Sequence, residues 1–251
     1  MPPAMPEAQP GSSAAVTHRA MRVAVIIPAL DEEASLPLVL RDLSAVPRDG
    51  FTLDRVVVVD NGSRDRTADL ARDGGATVVA EPRRGYGSAC LKGFAALAPD
   101  PPDVVVILDA DYSDRPRELP RLLAPILADR ADLVMGERVT RAERGSLLPQ
   151  QRWGNALATH LIARVGGHRY ADMGPFRAIR WTSLETLEME DPTWGWNVEM
   201  QLKALQRGLR VLEVPVSYRP RVGRSKISGT VRGTVKAGTR ILWAVWHYRN
   251  R

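Results

Sequence analysis

The chain has 251 residues, 44% of them apolar, which suits one domain with a sizeable core, or one domain with a small appendage. Its single cysteine, Cys90, excludes an internal disulfide framework and points to a cytoplasmic location. The net charge of +6 suggests an anionic partner, whether nucleotide, phospholipid or nucleic acid, and no apolar stretch is long enough to span a bilayer.

Residues 1–20 (MPPAMPEAQPGSSAAVTHRA) are rich in Pro, Ala and Ser and lack the apolar core of a signal peptide, so a disordered extension is expected. Four apolar runs with β-branched enrichment then follow at regular intervals: RVAVIIP (22–28), RVVVVD (55–60), ATVVAE (76–81) and DVVVILD (103–109). Continuous rather than alternating apolar runs predict strands buried on both faces, as in a parallel sheet. Helix-like segments separate them: EEASLPLVLRDL, RDRTADLARDG with its C-cap-like Gly74-Gly75, and GSACLKGFAAL. ADLVMGER (131–138) is a fifth strand candidate. Strand and helix in alternation predict an α/β fold with right-handed crossovers.

After about residue 140 the rhythm changes. LLPQQRWGNALATHLIARVGG reads as a helix with a glycine stop, GPFRAIR as a short strand, WGWNVEMQLKALQRG as a helix and RVLEVPVSYRP as a strand. The last segment, SGTVRGTVKAGTRILWAVWHYR, has helical spacing despite three glycines. From Arg219 to Arg251 there are nine Lys or Arg residues and no acid. On a helical wheel Val231, Val235, Ile241, Leu242, Val245 and Trp246 share one face, while Arg232, Lys236, Arg240 and His247 share another. That pattern fits a helix lying in a membrane interface, or one packed on its own domain with a solvated basic face.

In open α/β sheets ligands bind beyond the carboxyl ends of the strands, and polar residues recur there. Pro28-Ala29-Leu30-Asp31-Glu32 follows the first strand, Asp60-Asn61-Gly62-Ser63 ends the second, and Asp109-Ala110-Asp111 ends the fourth, with Asp114 close behind. Each alone can be a cap or a turn. Together they form an acidic rim on a basic chain. Asp109 and Asp111, two residues apart where a strand opens into a loop, suit one hard cation, Mg²⁺ or Mn²⁺, carrying a diphosphate. Gly85 and Gly87, just before a helix, place backbone N–H groups where an anion is favoured, or simply form a flexible turn.

In the order PALDEE, VVVDNGSRD, RRGYGSA, LDADYSDRP, MGPFRAIR and GRSKISGT, these motifs make the chain resemble family 2 glycosyltransferases of the GT-A fold, and among them the polyprenyl-phosphate (dolichyl-phosphate) mannose and glucose synthases. The resemblance runs from about residue 22 into the tail. It implies a GT-A domain over 21–227, with a mostly parallel central sheet, followed by a basic amphipathic helix over 228–251. It implies an inverting hexosyltransferase that uses a nucleotide-diphosphate sugar. UDP-glucose is favoured because MGPFRAIR looks more like the glucose-transferring members, with GDP-mannose as the alternative. By the same resemblance Pro28, Ala29, Leu30, Asp31, Glu32 and Asp60 contact base and ribose, and Gly85, Asp109, Ala110 and Asp111 complete the donor site. Asp109 and Asp111 hold the Mg²⁺ or Mn²⁺, with Asp111 the closer ligand. Arg138, Arg152, Asp172, Arg177, Arg224 and Lys226 match positions near the donor diphosphate or the acceptor phosphate. Two departures stand out: Asn61 replaces the second acid of the usual DDGS, which bears on nucleotide preference, and TRAERGSLLPQQRWGN replaces the glycine-rich acceptor loop of the mannose synthases.

Sugar transfer to a hydroxyl normally needs a general base, and Glu199 is the nearest candidate, although an i,i+4 pair with Lys203 explains it equally well. A phosphomonoester acceptor needs no base, being largely dianionic at neutral pH, and needs cations to hold it beside another anion. The expected acceptor is therefore a polyprenyl phosphate, with Asp111, Arg152, Arg177 and Glu199 as the catalytic set. The expected location is the cytoplasm, peripheral to the cytoplasmic face of an anionic membrane. A soluble hydroxyl acceptor is the alternative. A nucleic-acid partner, suggested by the basic tail with Trp243, Trp246 and Tyr248, is not expected, because it leaves the acidic rim unexplained.

Overall fold

The structure, a computed structural model, describes residues 19–223 and 231–249, the last with backbone only over 231–237. Seven strands form one sheet in the order β3-β2-β1-β4-β6-β5-β7. They are β1 (Met21–Ala29), β2 (Phe51–Asp60), β3 (Thr77–Ala80), β4 (Val104–Ile107), β5 (Leu133–Glu137), β6 (Arg177–Arg180) and β7 (Val211–Pro215). All run parallel except β6, which lies antiparallel between β4 and β5. The expected strands are all present, β2 starting four residues early.

The continuous apolar runs have the predicted cause. Alternate residues of β1 enter two different cores: Val23, Val25 and Ile27 face one layer, Ala24 and Ile26 the other. The first layer holds α1 (Leu36–Ser44), α2 (Thr67–Asp73) and α4 (Leu119–Leu127); the second holds α3 (Tyr86–Leu97), α5 (Pro149–Gly166), α6 (Trp181–Leu187), α7 (Trp196–Gln206) and α8 (Val231–Tyr248). A strand sandwiched in this way has no polar face to alternate with.

Helices α4 and α6 are additions to the expected set. Pro120 and Pro125 argue against a helix at α4, yet Leu119, Leu122, Leu123 and Ile126 fall at i, i+3, i+4, i+7 and are fully buried. Packing of that stripe outweighs the one interior N–H that Pro125 removes.

The tail helix forms, but its faces are not those of a freely floating interfacial helix. Ala244, Val245 and Tyr248 are buried in the second core, and Ile241 packs against it. Arg240 donates to Asp191 Oδ2 at 2.9 Å and lies 3.7 Å over the Trp243 ring, so the domain holds this cation. Leu242, Trp243 and Trp246 remain exposed. The side chains of Val231, Arg232, Val235 and Lys236 lie outside the described residues. No helix among the described residues is long and apolar enough to cross a membrane.

Candidate active site

The carboxyl ends of β1, β2 and β4 meet where the chain reverses direction across the sheet, between β1 and β4. Two residues there adopt left-handed backbone conformations, Asp31 at φ 50° after β1 and Tyr112 at φ 61° after β4. A non-glycine residue in that region is worth a look, and both positions re-aim a loop that carries acids.

The β1 and β2 loops are tied to each other. The Asp31 N–H donates to Ser63 Oγ (2.9 Å), Arg64 N–H donates to Asp31 Oδ1 (2.7 Å), and Glu32 N–H donates to Thr67 Oγ1 (2.8 Å). Asp60 accepts from Ser63 N–H at 2.9 Å. The segment from Pro28 to Glu32, where β1 ends and its loop begins, is thus fastened to the Asp60 turn, and β1 pairs with β4 just before Asp109.

Asn61 has a structural assignment that an aspartate could not fill. Its amide donates to the carbonyls of Glu81 (2.9 Å) and Arg83 (2.8 Å), and its oxygen accepts from Gly85 N–H (2.9 Å). A carboxylate there would face two carbonyl oxygens. The departure from DDGS therefore fastens the 81–85 loop.

That loop is not the phosphate cradle that Gly85 and Gly87 suggested. The N–H groups of Gly87 and Ser88 donate to the carbonyls of Thr193 (3.2 Å) and Pro192 (2.9 Å), and that of Gly85 is taken by Asn61. The glycines serve close approach instead. A Cβ at Gly85 would lie 2.1 Å from the Pro192 carbonyl oxygen, and one at Gly87 would lie 1.9 Å from that of Asp191.

Beyond Asp109 opens a cleft of about 1570 Å³. Asp109, Asp111 and Asp172 supply its carboxylates among the described residues; Arg138, Arg152, Arg169 and Arg221 supply its arginines. Leu148, Trp153, Leu157 and Ile241 make part of the outer wall apolar. Arg138 and Asp172 form a bidentate pair at 2.7 and 2.9 Å, so Asp172 is a fixed counter-ion rather than a base. Arg152 stands exposed in the first turn of α5.

Asp111 is 3% exposed, with Oδ1 accepting from Ser113 N–H (2.9 Å) and the Ser113 hydroxyl, and Oδ2 paired to Arg221. Burial, aided by the Asp111 charge, pushes the Asp109 carboxyl up to about 7 against the pull of Arg221 and Arg138. Two carboxylates this close, one of them paired only to a half-exposed arginine, can accept a cation between them. The pair's donors are all hard oxygens, and two carboxylates are the usual protein share of a hard divalent ion's shell. That fits an ion which keeps waters and substrate phosphates in its shell, so Asp109 and Asp111 suit Mg²⁺ or Mn²⁺. Asp114 does not reach the cleft: it is 1% exposed, its carboxyl has no hydrogen-bond partner among the described residues, and burial pushes it well above the carboxylate range.

Two members of the expected catalytic set sit elsewhere. Arg177, on β6, is fully buried and donates to the carbonyls of Gly174 (2.7 Å), Asn197 (3.3 Å) and Met173 (3.4 Å). It braces the cleft floor and does not line the cleft. Glu199, also fully buried, accepts from the N–H groups of Glu190 and Asp191 and from Lys203 Nζ, all at 2.8 Å. Burial raises its pKa while Lys203 and the two amides lower it. With both oxygens spent and no place on the cleft wall, Glu199 is a buried pair and not a general base. Arg224 and Lys226 lie outside the described residues. The sequence reading missed Tyr86, Trp194 and Arg221, which line the cleft. Of these only Arg221 carried a signal, three residues before the matched Arg224.

The family model for glycosyl transferase family 2 matches residues 24–187. An uncharacterised glycosyltransferase of Mycobacterium tuberculosis is 41% identical over 229 residues, covering 86% of this chain and 94% of the relative. The chain is a family 2 glycosyltransferase. Within the family it is similar to an undecaprenyl-phosphate mannosyltransferase of Micrococcus luteus (35% identical; 85% of this chain, 90% of the relative). It is also similar to a dolichyl-phosphate hexose transferase of Haloferax volcanii (35% identical; 82% and 86%). Among solved structures, glucosyl-3-phosphoglycerate synthase from Mycobacterium tuberculosis superposes with a TM-score of 0.73 at 23% identity, over 91% of this chain and 80% of that one. The glycosyltransferase thus has the expected GT-A fold.

Proposed function

We propose that this glycosyltransferase moves a hexose, with inversion, from a nucleotide-diphosphate sugar to a polyprenyl phosphate. The observation that carries the reading is the make-up of the cleft beside Asp109 and Asp111. It offers exposed Arg152 with Arg169 and Arg221 and an apolar outer wall; of its carboxylates, Asp172 is held by Arg138, Asp111 pairs with Arg221, and Asp109 is the one this reading assigns to the metal. A hydroxyl acceptor needs a base. A phosphate acceptor needs the arginines, and its lipid needs the apolar wall. The names of the Micrococcus and Haloferax relatives support the same acceptor class.

In the proposed reaction an oxygen of the acceptor phosphate bonds to the anomeric carbon from one side. The bond from that carbon to the donor β-phosphate oxygen breaks on the other, and its electron pair leaves with the nucleoside diphosphate. No proton has to be removed. Arg152 and Arg169 hold the incoming phosphate; the β1 and β2 rim, from Pro28 to Glu32 with Asp60, holds base and ribose. Asp109 and Asp111 would hold a divalent ion, which would supply charge stabilisation to the departing diphosphate. Support for that ion, and for UDP-glucose as the donor, comes from the solved structure of the mycobacterial synthase with Mn²⁺ and UDP, while the name of the Micrococcus relative supports GDP-mannose.

The outer surface fits peripheral contact with an anionic bilayer. Trp153 on α5 is 80% exposed and Trp246 on α8 is 60% exposed, each with an exposed leucine on the same helix, Leu157 and Leu242. Interfacial helices place Trp and Leu in this way.

The deciding experiment is a transfer screen with UDP-glucose, GDP-mannose and UDP-galactose against a short polyprenyl phosphate, with phosphoglyceric acid and a free sugar as soluble acceptors. Product with the polyprenyl phosphate, lost in EDTA and in Asp111→Asn, is the expected result. Transfer to a soluble acceptor alone refutes the reading.

A further inference from the structure

Resting on the reading of Asp109 and Asp111 as the metal–diphosphate site, we infer that Arg221 is a resident counter-ion that yields its place to the divalent ion and then binds the leaving diphosphate. Asp111 is almost fully buried, and a buried carboxylate is costly unless a cation accompanies it. That cation is Arg221, which pairs with Oδ2.

The backbone delivers the guanidinium to this point. Val222 N–H donates to the Asp111 carbonyl and Arg219 N–H to that of Ser113, both at 3.0 Å. The Arg219 guanidinium lies 3.2 Å over the Tyr112 ring and donates to the Tyr112 and Asp114 carbonyls. Segment 219–222 is therefore strapped along 111–114. Arg221 also lines the cleft, with its side chain 34% exposed, so it can turn outward without moving the strap.

A dication and a guanidinium compete for the same carboxylate. A divalent ion held by Asp109 and Asp111 would take the Asp111 carboxylate from Arg221, whose guanidinium lines the cleft and would then face the donor diphosphate. As the bond from the anomeric carbon to the β-phosphate oxygen breaks, that oxygen gains charge within reach of a planar, permanently charged fork. Once the nucleoside diphosphate departs with the ion, Arg221 returns to Asp111. One residue thus opposes metal binding without donor and assists bond cleavage with it.

These two effects have opposite signs, and an arginine that only neutralised Asp111 would produce the first without the second. Mn²⁺ binding is measured by loss of the free-ion EPR signal, with and without UDP, on the full chain as wild type, Arg221→Ala, Arg221→Lys and Asp111→Asn. Arg221→Ala is expected to bind Mn²⁺ alone about tenfold more tightly, because one competing unit charge has gone. The same variant is expected to bind UDP with Mn²⁺ more weakly, and to lose about a hundredfold in kcat, the scale for removing one donor from a developing anion. Arg221→Lys keeps the charge without the fork, so it should restore weak Mn²⁺ binding but only part of kcat. Unchanged Mn²⁺ affinity in Arg221→Ala, or wild-type kcat in that variant, overturns the inference. Undiminished Mn²⁺ binding by Asp111→Asn overturns the metal reading beneath it, which separates the two failures.

Discussion

Replacing Glu199 by Gln tests whether the buried pair on α7 is structural. The substitution keeps the shape and removes one charge. Lys203, 5% exposed with Nζ 2.8 Å from Glu199, then loses its counter-charge and keeps only neutral acceptors, the new amide oxygen and the Glu188 carbonyl at 2.7 Å. One of the two N–H groups of Glu190 and Asp191 also meets an NH₂ instead of an oxygen. Breaking a buried pair by removing one partner costs about 3–5 kcal/mol, and the surviving contacts place this case near the lower figure. For a chain of this length that corresponds to a fall of roughly 6–12 °C in Tm. The transfer rate at low temperature, per folded molecule, should change by less than about threefold, because the side chain does not line the cleft. Circular-dichroism melts with a transfer assay at 15 °C read both quantities. A double variant, Glu199→Gln with Lys203→Met, should recover much of the Tm, since exchanging both charges for uncharged groups of like size is often near neutral. An unchanged Tm with a hundredfold loss of kcat would falsify this and restore Glu199 as the base.

Asn61→Asp should cost about 2–3 kcal/mol, because it sets a carboxylate against the Glu81 and Arg83 carbonyls, and it should raise the donor KM as the 81–85 loop loosens; a melt and a donor titration check both. Arg177→Ala should lower stability by about 3 kcal/mol or more, since three buried carbonyls lose their donor, and unchanged stability with abolished transfer would return Arg177 to the phosphate clamp. The intact protein should pellet with anionic vesicles at low salt and be released by high salt, and Trp153→Ala should weaken that binding about tenfold; a protein that stays in the supernatant shows these exposed tryptophans serve another surface.

The parallel sheet was readable because its cause is local: a strand buried on both faces has to be apolar throughout, and each such run in the first half became a strand. Helix α4 was hidden for the complementary reason. Two prolines outweigh a short apolar stripe when propensity is judged residue by residue, whereas in the folded chain Leu119, Leu122, Leu123 and Ile126 close the core under β5 and β6. The acids at the strand ends were legible because carboxylates gathered on a basic chain call for a shared cation.

What the sequence hid is which side of a wall a charged residue occupies. Arg177 begins β6 and Arg138 directly follows the neighbouring β5, and the two match phosphate-contacting positions alike. Yet Arg138 reaches the cleft in the company of Asp172, while Arg177 turns into the floor and spends its fork on carbonyls. The difference depends on β6 running antiparallel between β4 and β5, a long-range pairing with no local signature. Glu199 carries the same lesson from the helical side. Its spacing to Lys203 is that of a surface pair, and it became a core pair only because the 188–194 loop folds over α7 to donate two amides and then presses its carbonyls onto Gly85 and Gly87. The glycines taken for a phosphate cradle and the glutamate taken for a base are thus two ends of one packing contact. That contact gives the cleft its rigid floor and leaves the chemistry to Asp109, Asp111 and the arginines above it.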